Sequence, residues 1–450
     1  MDTTHPLDVL VIGGGSAGAA TAAFLARQGR SVCVIERRAQ GGARWVNGVP
    51  AWCFHRAKIA LPTGPEHTNP FGAHSFVVAM PDGSASVRVE NSPTLHVDMR
   101  YLIARLREMA KTAGCEFVRG RVIAISGLDD RNHTVEVLVN DDRTIFKPKL
   151  IVDASGISFV SRKLVPTVAQ YCAPVGDDDI CAAAQYQCLV IDKSRARSFL
   201  ATHGASPGDS LALTAVAGGY SVITLFTDPE MNHVGVLTGS IPATGAPTGA
   251  TMLDRFVRSQ PWIGGRHFGG QGAIPLRRPQ THIGLPGLAI VGDAACQVYS
   301  AHGSGVGMGL VAARLLADAA EGCLDPGTQE VTQRYSSTFL AMYGGLLTGS
   351  DIFRRFSQSL GPNEIRKLMS AGLLNPELMR AALNQEHPPV DRRTALRTLR
   401  GAIREPRLAS RLLPVLAKIA TAQSFYRMLG QPSSTTELNK LEARVAKLLF

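Results

Sequence analysis

The chain has 450 residues, of which 45% are hydrophobic and 6% aromatic, which indicates a folded protein of two or three modules and excludes a disordered chain. Its formal net charge of +11 is more typical of a solvated basic surface than of a docking patch, so no nucleic-acid partner is expected. No apolar run approaches the roughly 20 residues of a membrane-spanning helix, and the N-terminus has no signal-peptide pattern, so a cytoplasmic protein is expected.

The first predicted element is a buried parallel strand at 8–12, where the sequence DVLVI is almost entirely apolar. A glycine-rich turn, GGGSAG at 13–18, leads into an alanine-rich helix, and a second strand then ends at Glu36. A strand, a G-x-G-x-x-G turn, a helix and an acid about 20 positions later are typical of a dinucleotide site. Glu36 can accept hydrogen bonds from both ribose hydroxyls, and the adjacent Arg37 is included in the predicted cofactor site.

The residue types in the glycine-rich turn each have a physical role. Gly13 permits the tight turn out of the strand, Gly15 lets a diphosphate approach the backbone, and Gly18 lets the helix lie close to the sheet. Backbone N–H groups at the helix start, including those of Ser16 and Ala17, attract the phosphates. This pattern alone does not distinguish NAD from FAD.

The middle of the chain has strand patterns. A hairpin is expected around the turn at 81–83 (PDG), between the runs 75–80 and 87–89. Strand-like segments follow at 180–191, 210–226 and 233–242. Together they predict an antiparallel sheet inserted into the nucleotide-binding part of the chain.

Two later motifs identify the dinucleotide as FAD. Residues 149–156 (KLIVDASG) and 287–293 (GLAIVGD) each combine an apolar strand pattern with a short turn. They resemble the middle motif and the G-D motif of the glutathione-reductase-type and hydroxylase-type FAD folds. The resemblance implies that Asp293 accepts a hydrogen bond from a ribityl hydroxyl. It also implies that the helix starting at Gly305 and Val306 directs its N–H groups at the flavin pyrimidine.

Four further positions fit one family of flavoproteins. Arg44 and Gly48 lie in the loop after the acid, Arg100 leads a helix for which Asp98 is a suitable N-cap, and Ala124 lies in the next strand. In these features the chain resembles the geranylgeranyl reductase-like family of FAD-dependent oxidoreductases, within the p-hydroxybenzoate hydroxylase-type FAD superfamily. The resemblance implies that these four positions contact FAD and that the inserted sheet forms a substrate wall.

The predicted fold class is α/β, with a Rossmann-like FAD-binding domain, an inserted antiparallel β-sheet substrate-binding domain and a C-terminal helical region. The FAD-binding domain is expected to be discontinuous, at 1–73, 95–165 and 270–345. The substrate-binding domain is expected at 74–94 and 166–269, and the helical domain at 346–450.

The expected substrate wall departs from the family at one strand. Family reductases carry a Y-x-W-x-F-P strand, whereas residues 218–226 are GGYSVITLF, which keeps Tyr220 but lacks the Trp and the Pro. The W-x-W-x-I-P element that flavin-dependent halogenases need is absent too. These departures argue against both a long isoprenoid substrate and a halogenase activity.

Few side chains are candidates for chemistry beside the flavin. His302 is one candidate proton donor, because imidazole titrates near neutral pH, and Tyr220 is the other; a structural hydrogen bond to the loop backbone is the alternative role for His302. Cys53 and Cys296 are either a redox pair or flavin link, or buried inert thiols. The eight cysteines contain no C-x-x-C pair and no metal-ligand spacing, so no metal site is predicted.

The C-terminal region has a basic amphipathic pattern, with Leu396, Leu399 and Ile403 between regularly spaced arginines. Two interpretations fit this pattern. Either the helix makes peripheral contact with an anionic membrane, which would suit a lipid substrate, or it packs its apolar side on the protein and leaves the arginines in water. The arginines are Arg392, Arg393, Arg397, Arg400, Arg404, Arg407 and Arg411.

The sequence therefore predicts an FAD-dependent oxidoreductase that exchanges hydride with an apolar or conjugated small molecule, by alkene reduction or dehydrogenation. The main alternative is a flavin-dependent monooxygenase (hydroxylase or epoxidase), and a halogenase or a redox-neutral cyclase is less favoured. No second nucleotide fingerprint is present, so the reductant is expected to be NAD(P)H or a partner flavin reductase.

Overall fold

The computed structural model describes residues 4–39, 41–42, 44–68, 74–128, 132–388, 392–430 and 433–449, with the backbone alone for 4–6 and 392–395. The side chains of Arg392 and Arg393, two members of the basic series, therefore lie outside the described part. The described residues form an α/β fold with two large sheets and a helical C-terminal region, which confirms the predicted fold class.

Strands and helices alternate in the first two thirds of the chain, and helices form the last third. The strands are β1 (Thr4–Ile12), β2 (Val32–Glu36), β3 (Val46–Pro50), β4 (Phe76–Ala79), β5 (Ser86–Val89), β6 (Thr94–Asp98), β7 (Glu116–Arg119), β8 (Arg121–Ser126), β9 (Thr134–Val139), β10 (Asp142–Asp153), β11 (Ile180–Val190), β12 (Ser210–Thr214), β13 (Ser221–Thr227), β14 (His233–Ser240), β15 (Ile263–Pro275), β16 (Gly284–Leu285) and β17 (Leu288–Ile290). The helices are α1 (Ser16–Ala26), α2 (Ala51–Ala57), α3 (Met99–Thr112), α4 (Val160–Leu164), α5 (Pro166–Tyr171), α6 (Lys193–Thr202), α7 (Gly249–Ser259), α8 (Val306–Ala320), α9 (Gln329–Phe339), α10 (Gly345–Gln358), α11 (Pro362–Ser370), α12 (Pro376–Asn384), α13 (Arg392–Arg404), α14 (Pro406–Arg427) and α15 (Thr435–Leu449).

The first sheet carries the nucleotide-binding pattern. Its strand order is β16-β17-β10-β1-β2-β7, and β9 and β8 extend it from β10. The five strands from β17 to β7 pair with one another in parallel, whereas β16 and β9 are antiparallel to their neighbours. Helices α1, α3 and α8 share one hydrophobic core with this sheet. Burial in that core explains why β1 is continuously apolar rather than alternating.

The second sheet has the strand order β15-β11-β14-β13-β12-β4-β5 and includes the predicted β4–β5 hairpin. Alternate residues of its strands belong to two different cores. Val77 and Leu211 pack with α6 and α7 on one face, whereas Val78 and Ala212 pack with α10, α11 and α14 on the other. The C-terminal helices therefore cover part of one face of this sheet.

Two details of the second sheet differ from the sequence prediction. The segment 210–226 is two strands, because a turn that includes Ala215 at φ +56° separates β12 from β13. The thirteen-residue strand β15 was not predicted, since its sequence IGGRHFGGQGAIP is rich in glycine, and it runs through position 270, where a domain boundary was expected. In the C-terminal region, Pro362 and Pro376 are the first residues of α11 and α12. None of the helices in the described ranges combines the length and the apolar content that crossing a bilayer requires.

Candidate active site

The candidate site lies where three neighbouring strands end at one edge of the first sheet. Their last residues are in register, because Ile12 of β1 pairs with Asp153 of β10, which pairs with Ile290 of β17. The glycine-rich turn leaves β1 at this edge, and the segment containing Asp293 leaves β17 there. Ligands of open α/β sheets bind outside the carboxyl ends of the strands. The topology therefore brings the first, middle and late motifs together.

The glycine-rich turn is closely packed at two glycines and open at a third. Gly13 has φ +102°, and a Cβ there would lie 2.5 Å from the carbonyl oxygen of Ala154. A Cβ at Gly18 would clash with the carbonyl oxygen of Gly13. At Gly15 the nearest atom is the Cα of Gly42, 4.0 Å from the ideal Cβ position. Packing thus requires glycine at positions 13 and 18, whereas Gly15 leaves room for a diphosphate at the start of α1.

Glu36 lies over this turn, where a ribose-binding carboxylate belongs. Its Oε2 accepts a hydrogen bond from the backbone N–H of Gly14 at 2.8 Å, and Arg107 Nη2 is 3.7 Å away. Arg107 also donates from Nε to the Gly14 carbonyl oxygen at 2.9 Å. Sequence reasoning missed Arg107, although it follows Arg100 by about two turns on the same face of α3. Arg37 is exposed directly after β2.

The late motif contacts the beginning of α1. Gly292 has φ +68°, and a Cβ there would lie 3.0 Å from the Cβ of Ala17. A Cβ at Gly309 of α8 would lie 3.2 Å from the same atom. Because α1 begins at Ser16 and α8 begins at Val306, two helix N-termini lie close together at the sheet edge. Their unpaired N–H groups provide positive partial charge for an anionic ligand.

Asp293 lies beside the N-terminus of α8. A Cβ at Gly305, the N-cap of that helix, would lie 2.7 Å from Asp293 Oδ1. Burial raises the pKa of Asp293 to about 6, and within the described ranges no protein hydrogen bond offsets that rise. A hydroxyl group from a ligand would supply the missing donor. The open path at Gly15, the carboxylate of Glu36 and the half-buried acceptor at Asp293 together fit FAD.

An apolar cavity adjoins this site on the side of the second sheet. Gly48, Gly303 and Ser304 form its wall next to α8, and the Ser304 hydroxyl donates to the Gly48 carbonyl oxygen at 3.2 Å. Leu383 of α12 also lines the cavity. Most of the remaining wall comes from the second sheet and includes Cys181, Ala183, Val222, Phe226, Leu237 and Ile274. A wall that is mostly apolar and carries some polar side chains is typical of a site for a largely apolar ligand.

Both predicted catalytic residues line this cavity. The Tyr220 hydroxyl is near the loop before α8, because a Cβ at Gly303 would lie 3.4 Å from it. Burial raises the pKa of Tyr220 well above its usual value, so the phenol keeps its proton. His302 donates from Nε2 to the carbonyl oxygen of Ala382 at 3.0 Å, and desolvation of its ring lowers its pKa, although part of the residue is exposed. His302 is therefore neutral near pH 7, with its ring proton bound to a backbone acceptor.

His96 of β6 is a cavity residue that sequence reasoning missed. Its Nε2 is 3.1 Å from Ser210 Oγ, and its ring meets the edge of Phe226 with 4.8 Å between centroids. Burial, together with the nearby His74, holds the pKa of His96 well below its usual value. No motif includes His96, so its position in a strand of the cavity wall emerges only from the tertiary fold.

Arg100, predicted to contact FAD, has protein partners in this structure. Its backbone N–H donates to Asp98 Oδ1 at 2.9 Å, which confirms Asp98 as the N-cap of α3. Its Nη2 is 2.6 Å from Asp98 Oδ2, and the guanidinium carbon lies 3.5 Å from the ring centroid of Phe268. These contacts hold Arg100 between the start of α3 and strand β15.

The other family-derived positions surround the same region. Arg44 is exposed, and its carbonyl oxygen is 3.6 Å from the ideal Cβ position of Gly270 in β15. Gly48 is in β3 and lines the cavity. Ala124 is in β8, next to an irregularity in the pairing with β9. Contact of these positions with FAD stays a prediction.

Cys53 and Cys296 are both unbridged and buried. A Cβ at Gly307 of α8 would lie 2.5 Å from Cys53 Sγ, whereas Cys296 Sγ is 4.0 Å from Gln280 Nε2. Burial raises the pKa of Cys296 to about 12 and raises that of Cys53 as well. Because the thiolate is the reactive form of cysteine, this environment favours the inert role for both.

Comparison with known proteins identifies relatives among flavoenzymes. A family model described as "FAD dependent oxidoreductase" matches residues 8–62. The digeranylgeranylglycerophospholipid reductase of Sulfolobus acidocaldarius is 22% identical over 456 aligned positions, which cover 98% of this chain and 97% of that protein. The protein of the same name from Methanoculleus marisnigri is 25% identical over 359 positions, which cover 74% of this chain and 82% of that protein.

A solved structure supports the same relationship at the level of fold. The geranylgeranyl bacteriochlorophyll reductase-like protein from Thermoplasma acidophilum superposes with a TM-score of 0.72 at 16% identity, covering 92% of this chain and 100% of that chain. Flavin-dependent halogenases and monooxygenases share the fold with lower TM-scores. The predicted resemblance to geranylgeranyl reductase-like flavoproteins is confirmed.

Proposed function

We propose that this FAD-dependent oxidoreductase reduces carbon–carbon double bonds in the isoprenoid chains of a lipid. The two relatives described above are named as reductases of a digeranylgeranyl lipid, and the first aligns with nearly the whole of both chains. The observation that carries the proposal is the apolar cavity next to the FAD site. The hydrogen bond from Ser304 to Gly48 lies in the wall between them.

The departure of β13 from the family pattern is compatible with this substrate class. Tyr220, Val222 and Thr224 occupy the Y, W and F positions of the family's Y-x-W-x-F-P strand, and all three line the cavity. Val222 and Thr224 are smaller than the residues they replace. Smaller side chains at these two positions leave more room than a Trp and a Phe would, which suits a bulky or branched apolar chain.

The proposed chemistry needs a hydride donor and a proton donor. FAD, when bound and reduced, supplies the hydride. Tyr220 delivers the proton to the second carbon, because its hydroxyl is protonated and lines the cavity. His302 positions the loop before α8 through its bond to Ala382. The N–H groups at the start of α8 favour negative charge at the cofactor.

We further propose that the electrons come from NAD(P)H bound transiently or from a partner flavin reductase. The sequence has one complete G-x-G-x-x-G fingerprint, at 13–18, and FAD accounts for it. A chemical reductant can replace either source in a test of the reaction.

The test uses protein loaded with FAD and reduced by dithionite under anaerobic conditions. A lipid with geranylgeranyl chains is added, the flavin absorbance is followed, and the product is analysed by mass spectrometry. We expect the flavin to reoxidise and the lipid to gain two hydrogen atoms for each reduced double bond. A lipid with the same headgroup and saturated chains is the control and should leave the flavin reduced.

The same experiment separates the proposal from the monooxygenase alternative, which shares the fold. A monooxygenase would leave the lipid unchanged without oxygen and would add an oxygen atom to it after air is admitted. That result, or an unreacted lipid under both conditions, would exclude alkene reduction of this substrate class.

A further inference from the structure

Helix α13 exposes large apolar side chains that a globular protein normally buries. The exposed fractions are 54% for Leu396, 57% for Leu399 and 72% for Ile403. Because these positions are three, four and seven residues apart, they form one stripe along the helix, which we call the apolar stripe. The expectation that α13 packs its apolar side on the protein is therefore wrong for these residues.

Gly401 is a position where α13 approaches the protein closely. A Cβ at Gly401 would lie 2.8 Å from the carbonyl oxygen of Ala371 and 3.0 Å from side-chain atoms of Leu373. This close approach is possible only because position 401 has no side chain. The helix thus docks through Gly401 and leaves the apolar stripe in solvent.

Three arginines next to the stripe are exposed. Arg397 and Arg411 form ion pairs with Glu377 and Glu364 of the protein body. In the part of the chain that the structure describes, no ion pair involves the exposed arginines Arg400, Arg404 and Arg407. Arg400 follows Leu396 by four residues, about one helical turn, and Arg404 follows Arg400 by another four, so positive charge borders the stripe.

The first half of α14 has a similar composition. Leu413 is 62% exposed and Leu416 is 42% exposed. A helix with exposed leucines and adjacent arginines has the composition of a segment that lies in a membrane interface. Arginine side chains attract the anionic headgroups, while the leucines enter the boundary between headgroups and acyl chains.

We propose that the apolar stripe and Arg400, Arg404 and Arg407 form a docking surface for an anionic lipid bilayer. Positive charge matches an anionic headgroup layer, and the exposed leucines match its apolar boundary. A protein partner with an acidic groove would have the same charge but would need a concave apolar surface of its own. The inference extends the proposed function, since a lipid substrate resides in a bilayer, but its evidence is the exposed surface and not turnover.

The test is co-sedimentation of the FAD-loaded full chain with vesicles of phosphatidylglycerol and phosphatidylcholine, or of phosphatidylcholine alone. We expect binding to the anionic vesicles and weak binding to the neutral ones, with a marked loss at high salt. Replacing the stripe (Leu396→Ser, Leu399→Ser, Ile403→Ser) or the charges (Arg400→Gln, Arg404→Gln, Arg407→Gln) should each weaken binding by roughly tenfold or more.

A matched control replaces exposed apolar residues elsewhere. Ile191 is 65% exposed and Leu324 is 95% exposed, so Ile191→Ser with Leu324→Ser should leave vesicle binding unchanged. Equal binding of the stripe variant and the wild type would overturn the proposal. So would a change of oligomeric state in the stripe variant, since the stripe would then be a protein interface. Reduction of a detergent-dispersed lipid by the stripe variant should be unchanged, which separates a failure of docking from a failure of the proposed activity.

Discussion

At the scale of single residues, Asp293 has a half-buried carboxylate and no hydrogen-bond donor for it among the described residues, and its ionisation therefore opposes folding when FAD is absent. Burial raises its pKa from 3.8 to about 6, which corresponds to at most about 3 kcal/mol. A raised carboxyl pKa means that the folded state binds the proton more tightly than the unfolded state. The destabilisation by the ionised Asp293 carboxylate is hence absent below about pH 4 and complete above about pH 6.

Asp293→Asn should remove this loss of folding stability. We expect the FAD-free variant to be more stable than the FAD-free wild type by up to about 3 kcal/mol at about pH 8, and equally stable near pH 4. Urea denaturation at the two pH values measures the difference. The variant should also bind FAD more weakly, because an amide oxygen accepts a hydrogen bond less strongly than a carboxylate. A variant that is no more stable at the higher pH would show that Asp293 has donors within the folded protein.

Tyr220 and His302 line the same cavity, but their hydrogen-bonding states differ. Tyr220→Phe removes the hydroxyl with little change in volume, so we expect the rate of lipid reduction to fall by roughly 10²–10⁴-fold while FAD affinity is kept. His302→Gln keeps a donor for Ala382 and should retain most of the rate. Single-turnover reoxidation of the flavin under anaerobic conditions measures both. If His302→Gln lost the rate and Tyr220→Phe kept it, His302 would be the proton donor.

At the scale of elements, the sequence patterns correctly predicted turns and helix caps, because these depend on a few neighbouring residues. The turn at 13–18 was predictable because the conformation at Gly13 and the close packing at Gly18 require glycine at those positions. The cap at Asp98 was predictable for a similar reason. Strand β15 was not, because its glycine-rich sequence has no alternation. It is a strand through its long pairing with β11, which a local pattern cannot contain.

Gly15 provides a test of the first element, because its role is expected to be binding and not folding. The ideal Cβ position at Gly15 has no protein atom nearer than 4.0 Å, so Gly15→Ala should leave the stability of the FAD-free protein unchanged. The added methyl would occupy the path of the diphosphate, and we expect FAD affinity to fall by about tenfold or more. Flavin fluorescence titration measures the affinity.

Gly265→Ala is the matched control for that experiment. Gly265 lies in β15, and its ideal Cβ position has no atom within 4 Å. The control should change neither stability nor FAD affinity. If Gly15→Ala also binds FAD normally, the diphosphate does not pass over Gly15.

At the scale of the whole molecule, the C-terminal helices complete the site. Local sequence patterns could not predict which of their residues contact the cavity. Leu383 of α12 lines the cavity, and the carbonyl oxygen of Ala382 fixes His302. Trp52 of α2 donates from Nε1 to the carbonyl oxygen of Asn384 at 2.7 Å. These contacts join positions more than 70 residues apart in the chain, so they depend on tertiary packing and not on any motif.

A buried charge network holds this helical region to the second sheet. Arg354 of α10 is 1% exposed, and its Nη2 is 2.5 Å from Asp179 Oδ1, just before β11, and 2.7 Å from Asp351 Oδ1. Arg355 also pairs with both aspartates. Two cations thus face two buried carboxylates, and Arg355 also reaches the exposed carboxylate of Asp178 at 3.7 Å.

Arg354→Met should remove one cation and leave negative charge buried in excess. We expect the free energy of unfolding to fall by about 3–5 kcal/mol, because an uncompensated buried charge is costly. Arg334→Met breaks an exposed ion pair with Glu330 and should cost less than about 1 kcal/mol. Urea denaturation of the FAD-free proteins compares the two variants. Equal and small losses would mean that apolar packing alone attaches α10. A large loss confined to Arg354→Met, with a weaker affinity for FAD, would show that this network also maintains the wall of the active site.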